Sequence, residues 1–142
     1  DCVPIYLVAP AKGAIALLHA GWRGTAAGIL ANGLQLLHDH AGVEPPEVVM
    51  HAGVAISGPC YEVGAEVVTG VGLAAEGPGP WHLDLRAVLL EQARALGVGE
   101  ATASGHCSSA QRDAFFSHRG SGGTDGRMVA YLGLPSPCRG PV

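Results

Sequence analysis

Two short apolar runs near the start of the chain, separated by a turn, constrain it more than any other feature. Val3-Pro-Ile-Tyr-Leu-Val8 and Ala14-Ile-Ala-Leu-Leu18 are rich in strand-forming residues, and Ala9-Pro-Ala-Lys-Gly13 between them has turn chemistry. The pattern predicts an antiparallel hairpin. In such a pair the start of the first strand lies beside the end of the second. Cys2, just before the first run, and His19, just after the second, are therefore expected side by side. A thiolate next to an imidazole suits two chemistries, and the residues alone leave both open. One is holding a borderline-soft metal such as zinc, the other is activating a cysteine nucleophile.

The chain after the hairpin reads as helices and strands in mixed order. Residues 25–40 carry a helical apolar face through Leu30, Leu34 and Leu37, with Thr25 as the expected N-cap. The stretch His19-Ala-Gly-Trp-Arg-Gly-Thr25 thus falls on a strand-to-helix turn, where backbone N–H groups and the helix dipole favour an anion. Arg23 adds fixed positive charge there; a solvated arginine is the alternative on spacing alone. Trp22 is either core or a wall for a flat ring. Residues 48–56 read as a strand containing His51, and residues 61–69 as a helix preceded by Cys60. Residues 85–96 read as a helix capped by Asp84 and closed by Gly97. Its inward face is Leu85, Val88, Leu89, Gln92 and Leu96, with Arg86, Glu91 and Arg94 toward water. Residues 101–104 suggest a short strand. The glycine-rich residues 120–126 lack the Lys-Ser/Thr of a P-loop and read as a turn between two strands, with Arg119 and Arg127 at its mouth.

These elements predict a single α+β domain over residues 1–134, a mixed β-sheet with helices packed against it, followed by a flexible tail over 135–142. At 142 residues, 48% of them hydrophobic and 14% charged, the chain can bury a real core. A net charge of -4 with one lysine, Lys12, argues against a nucleic-acid partner. No apolar run approaches the roughly 20 residues of a membrane span, so no membrane partner is expected, and nothing reads as a signal peptide. Cys2, Cys60, Cys107 and Cys138 are widely spaced with no Cys-x-x-Cys, which points to a reduced, cytoplasmic protein.

Four stretches fall in an order and spacing similar to one known family: Asp1-Cys2-Val-Pro, His19-Ala-Gly-Trp-Arg-Gly24, Gly58-Pro-Cys-Tyr-Glu-Val-Gly64, and Phe115-Phe-Ser-His-Arg119 with Gly126-Arg-Met128. They resemble the laccase-domain family, also called polyphenol oxidase, peptidoglycan editing factor and zinc-dependent purine nucleoside phosphorylase. The resemblance implies phosphorolysis of adenosine, inosine and methylthioadenosine, with phosphate as co-substrate and adenosine deamination as a second activity. It implies a zinc held by Cys2 and His19, with Cys2, His19 and His118 as catalytic residues. Arg23, Arg119 and Arg127 are then expected on the phosphate, and Trp22 on the purine. Family members are longer on the N-terminal side, where a Gln-x-His-Gly segment supplies a third zinc donor. This chain reads as truncated there, and His118 first, then His51 or His106, are the substitutes to look for. A truncated sheet leaves an open edge, so a homo-oligomer is an expectation too. Where the family has a second arginine after Arg119, this chain has Gly120. Two alternatives remain: a Cys/His amide hydrolase acting on peptidoglycan precursors, and a copper-dependent polyphenol oxidase. The chain has one His-x-His, His38-Asp-His40, which does not make the paired clusters of a multicopper centre.

Overall fold

The hairpin forms as its pattern predicts. In the computed structural model, which describes residues 1–135, β1 (Val3–Ala9) and β2 (Ala14–Ala20) pair antiparallel, with Pro4 opposite His19 and Tyr6 opposite Leu17. β1 is central. On its other side it pairs antiparallel with β3 (Val49–Ala52), and β3 pairs parallel with β6 (Glu100–Ala103), giving the order β2-β1-β3-β6. β4 (Glu62–Val63) and β5 (Trp81–His82) form a separate two-stranded ribbon.

The side-chain period of a strand decides where the core sits. Val3, Ile5, Leu7 and Ala9 alternate inward along β1, joined by Met50 and Ala52 of β3. Helices α2 (Ile29–Ala41) and α4 (Leu85–Ala95) cover that face through Leu30, Leu34 and Leu37, and through Leu85, Val88, Leu89 and Ala93. A single cluster of apolar side chains results, and the fold is α+β as the sequence implies. The opposite face of the sheet carries Pro4, Tyr6, Leu17, His19 and His51, none of them buried. Cys2 continues that face at the mouth of the hairpin.

Several sequence expectations are corrected. The stretch 25–40 is two helices, α1 (Trp22–Ala26) and α2, because Gly28 between them adopts φ 73, a left-handed conformation suited to glycine. Thr25 is therefore no N-cap. It is buried within α1, and its hydroxyl donates to the Gly21 carbonyl at 3.0 Å. The strand expected over 48–56 stops at Ala52. The helix expected over 61–69 is β4 followed by α3 (Ala65–Gly70). Arg86 does not face water: it is 6% exposed. No strand forms on either side of the glycine-rich turn among the described residues; 117–123 turns back on itself and 128–135 runs irregularly. The expected tail over 135–142 lies, apart from Pro135, outside the described residues. Among the described residues no helix is long and apolar enough to cross a membrane.

One close approach yields a prediction. The backbone of Gly99, just before β6, passes so near Pro46 that an added Cβ would meet the Pro46 carbonyl oxygen. Backbone cannot swing aside as a side chain can. Gly99→Ala is expected to cost about 1–3 kcal/mol, as overpacking does. Urea denaturation measures it, and an unchanged midpoint would contradict the close fit.

Candidate active site

The hairpin delivers Cys2 and His19 to one place. His19 stands opposite Pro4, and Cys2 precedes Pro4 by one strand period on the same side. The Cys2 thiol leans toward the end of β2, where a Cβ on Gly21 would lie 3.0 Å from its sulfur. Both side chains line a cleft of about 680 Å³. Tyr6, Ile56, Phe115, Phe116 and Met128 give the cleft aromatic and aliphatic walls, and His118, Arg119 and Arg127 line it as well.

The tail segment is fixed there by polar contacts rather than by secondary structure. The Arg119 guanidinium donates to the Glu62 carbonyl at 2.7 Å and lies 5.1 Å from the centre of the Tyr61 ring, a cation–π contact. The Arg119 backbone N–H donates to the Asp1 carboxylate at 2.8 Å. The His118 ring rests over Gly123, whose Cβ would come within 3.1 Å of it. Arg127 donates to the carbonyls of Asp125 and Gly126, both at 3.2 Å. Burial pushes the Tyr61 hydroxyl above its ordinary pKa, and Cys2 adds to this, while Arg119 and Arg23 pull against it. Tyr61 is therefore a protonated hydrogen-bond donor at neutral pH.

Two residues expected at the site stand apart from the lining of the cleft. Trp22 packs against α3, where a Cβ on Gly70 would be 3.3 Å from its ring, and it joins the edge of the core. Arg23 lies over the Trp22 ring, 4.4 Å from its centre, and reaches the site through its charge. The third-donor candidates also separate. His51 pairs with Thr102 at 2.9 Å on the open sheet face, and His106 pairs with Gln111 at 3.1 Å. His118 shares the cleft, yet among the described residues no three His, Cys, Asp or Glu side chains come together to hold a metal ion. A catalytic zinc takes three protein donors. The described residues offer it Cys2 and His19, and so do not complete its sphere.

The structure also places residues that spacing did not single out. Asp1, Tyr6, Tyr61 and the pair Phe115–Phe116 all line the cleft. Asp1, Tyr61 and the two phenylalanines sit inside the motif stretches, which was the available signal. Cys107 lies outside the cleft, buried and free, with its sulfur accepting N–H bonds from Ser57 at 3.3 Å and Ala110 at 3.4 Å. Burial pushes that thiol up, but hydrogen bonding from Ser57, Ala110 and Ser109 outweighs it and brings the pKa to about 7. Cys2 and Cys60 are free as well.

Residues 1–135 match the family described as multi-copper polyphenol oxidoreductase laccase. The chain belongs to that family. Among the relatives of this laccase-family chain is the purine nucleoside phosphorylase YlmD of Geobacillus stearothermophilus, 40% identical over 94% of this chain and 53% of the relative. The adenosine deaminase RL5, from an unknown prokaryotic organism, is 37% identical over 93% of this chain and 55% of its own length. The crystal structure of the Geobacillus YlmD superposes with a TM-score of 0.79 at 39% identity, covering 89% of this chain and 51% of that one. The chain spans about half the length of the relatives it matches.

Proposed function

We propose that this chain carries the cleft of a purine nucleoside phosphorylase acting on adenosine, inosine and methylthioadenosine, with adenosine deamination as a second activity. The observation that carries the reading is the composition of one cleft. Flat apolar walls stand beside two arginines and a histidine, with the Cys2–His19 pair alongside. Kinship with proteins named for both activities supports it. Phosphorolysis joins a phosphate oxygen to the anomeric carbon as the glycosidic bond breaks, and the base leaves with the bonding pair. Arg119 and Arg127 hold the phosphate, with Arg23 adding charge behind them. Phe115 and Phe116, in place of Trp22, flank the base. His118 supplies the proton that the departing base takes up.

Zinc is the metal that Cys2 and His19 suit, as a Lewis acid when bound. Among the described residues no third donor joins Cys2 and His19, so no step is assigned to it. The free thiols at Cys2, Cys60 and Cys107 accord with a reducing compartment, and we place the protein in the cytoplasm.

An exposed thiol lining the same cleft as an imidazole, without a third donor, also favours a second reading: an amide hydrolase with Cys2 as nucleophile and His19 as base. Incubation with inosine and phosphate, with and without a chelator, separates the two. Release of hypoxanthine and ribose 1-phosphate that chelation suppresses supports the phosphorylase with its metal. Amide cleavage that survives chelation and stops on thiol alkylation supports the hydrolase. Absence of phosphorolysis from the metal-supplied chain removes the first reading.

A further inference from the structure

The residue before Cys2 does more than continue a strand. One oxygen of the Asp1 carboxylate accepts the hydroxyls of Ser108 and Ser117, each at 2.7 Å, and the other accepts the Arg119 N–H at 2.8 Å. Its backbone carbonyl accepts the Ile56 N–H at 3.0 Å. Ser108 and Ser117 are 0% and 1% exposed, so neither hydroxyl has water as an alternative acceptor. Asp125 grips the same segment from its other side, accepting the Ser117 N–H at 3.0 Å and the Arg112 side chain at 3.3 Å. His118 therefore sits between two residues that are both tied to Asp1.

We propose that Asp1 is a positioning residue, a carboxylate buckle that fixes His118 and Arg119 in the cleft beside Cys2. Its importance for turnover rests on the phosphorylase reading above; its geometry does not. The segment has no strand or helix of its own from 117 to 120, so these side-chain bonds hold it. The partners also explain why the acid is needed. The Ser117 oxygen already accepts the Gly120 N–H at 2.9 Å, and its hydroxyl proton goes to Asp1. All three groups facing Asp1 are thus donors, and only a carboxylate presents acceptors to all of them. Asparagine has the same shape but fails in either orientation. Its amide N–H either meets the Arg119 N–H or turns on the serine hydroxyls, whose protons then lose their acceptor.

Amide hydrogen exchange and the His118 imidazole shift, followed by NMR in the full chain, test this without reference to activity. Asp1→Asn should speed exchange at Arg119 by about tenfold or more, the scale of a lost charge-assisted bond. It should move the His118 resonance while leaving the amides of Ile5 and Leu7 in β1 as they were. Asp1→Glu, which keeps the charge, should recover part of the protection. In phosphorolysis Asp1→Asn should raise KM for phosphate through Arg119 and lower kcat through His118. Uniform acceleration of all slow amides would reduce Asp1 to a general stabiliser, and unchanged exchange at Arg119 would overturn the proposal outright. If Asp1→Asn does not fold, Ser117→Ala removes one strut, with the same local signature expected and the same unchanged result decisive. An inactive wild-type chain would remove the phosphorylase reading and leave this test intact.

Discussion

Replacing Arg86 with alanine is expected to destabilise the fold by about 3–5 kcal/mol, the range for breaking a buried ion pair from one side. Arg86 is 6% exposed and all three of its guanidinium nitrogens donate. It donates to both carboxylate oxygens of Asp84, at 3.1 and 2.9 Å, and to the carbonyls of Ser104 and His106, each at 2.7 Å. Alanine removes the partner of two carbonyls and leaves the Asp84 carboxylate with backbone N–H donors only, that of residue 86 among them at 2.9 Å. Lysine keeps the charge but cannot reproduce the fork, so Arg86→Lys should recover only part of the loss. Urea denaturation gives the difference directly. The pH dependence provides a second check. Burial raises the Asp84 pKa, but hydrogen bonds from the Arg86 side chain and backbone, together with its charge, outweigh it and hold the carboxyl below the ordinary carboxylate value. With the folded pKa depressed, the unfolded chain binds more protons in that window. The stabilisation is thus present above the ordinary carboxylate value and lost as pH falls through the folded one. The wild type should show this acid slope and Arg86→Ala a shallower one, since the backbone hydrogen bonds to Asp84 remain. An equal slope in both, or a loss under 1 kcal/mol (about the worth of an exposed pair), would contradict a buried role.

Arg86 also marks where the sequence stops being informative. The helix over 85–95 is legible because its signals are local: Asp84 as cap, apolar residues at helical spacing, Gly97 past the end. The same logic sends a charged residue in the first turn toward water. Only the carbonyls of Ser104 and His106, brought over by β6 and the loop after it, reverse that. The hairpin is legible for a similar reason, since alternation along β1 and the turn at 10–13 fix its register, and with it the placing of Cys2 and His19 at one end of the hairpin. The break at Gly28 is not, because the apolar spacing runs on across it. The stretch after Arg127 looks like a strand but finds no partner strand among the described residues, and an unpaired strand does not persist. The cleft divides in the same way. Its motif residues are visible in the sequence, whereas the bonds from Ser108 and Arg119 to Asp1 span 107 and 118 positions and leave no local trace. Trp22 shows the converse. Its neighbours make it look like a binding residue, but the fold turns its ring toward α3.

On the phosphorylase reading, His118→Ala should lower kcat about 10²–10³-fold with little change in KM, within the usual yield of general acid catalysis. The expectation rests on where the ring is held. Ser117 and Arg119 are anchored on either side, and Gly123 lies beneath the imidazole, so the group is presented to the cleft without being part of a wall. Loss of the ring leaves those anchors in place, and binding should survive. The leaving group separates proton donation from a merely structural effect. A purine departing with the bonding pair needs a proton to leave as a neutral base. A 7-methylpurine nucleoside already carries positive charge on its base and needs none. His118→Ala should therefore be severely impaired on inosine and nearly normal on 7-methylinosine, with the ratio of the two rates as the measured quantity. Equal loss on both nucleosides would mean that His118 shapes the cleft and donates nothing, and the proton would then have to come from another group lining the cleft, with the protonated Tyr61 hydroxyl the next to test.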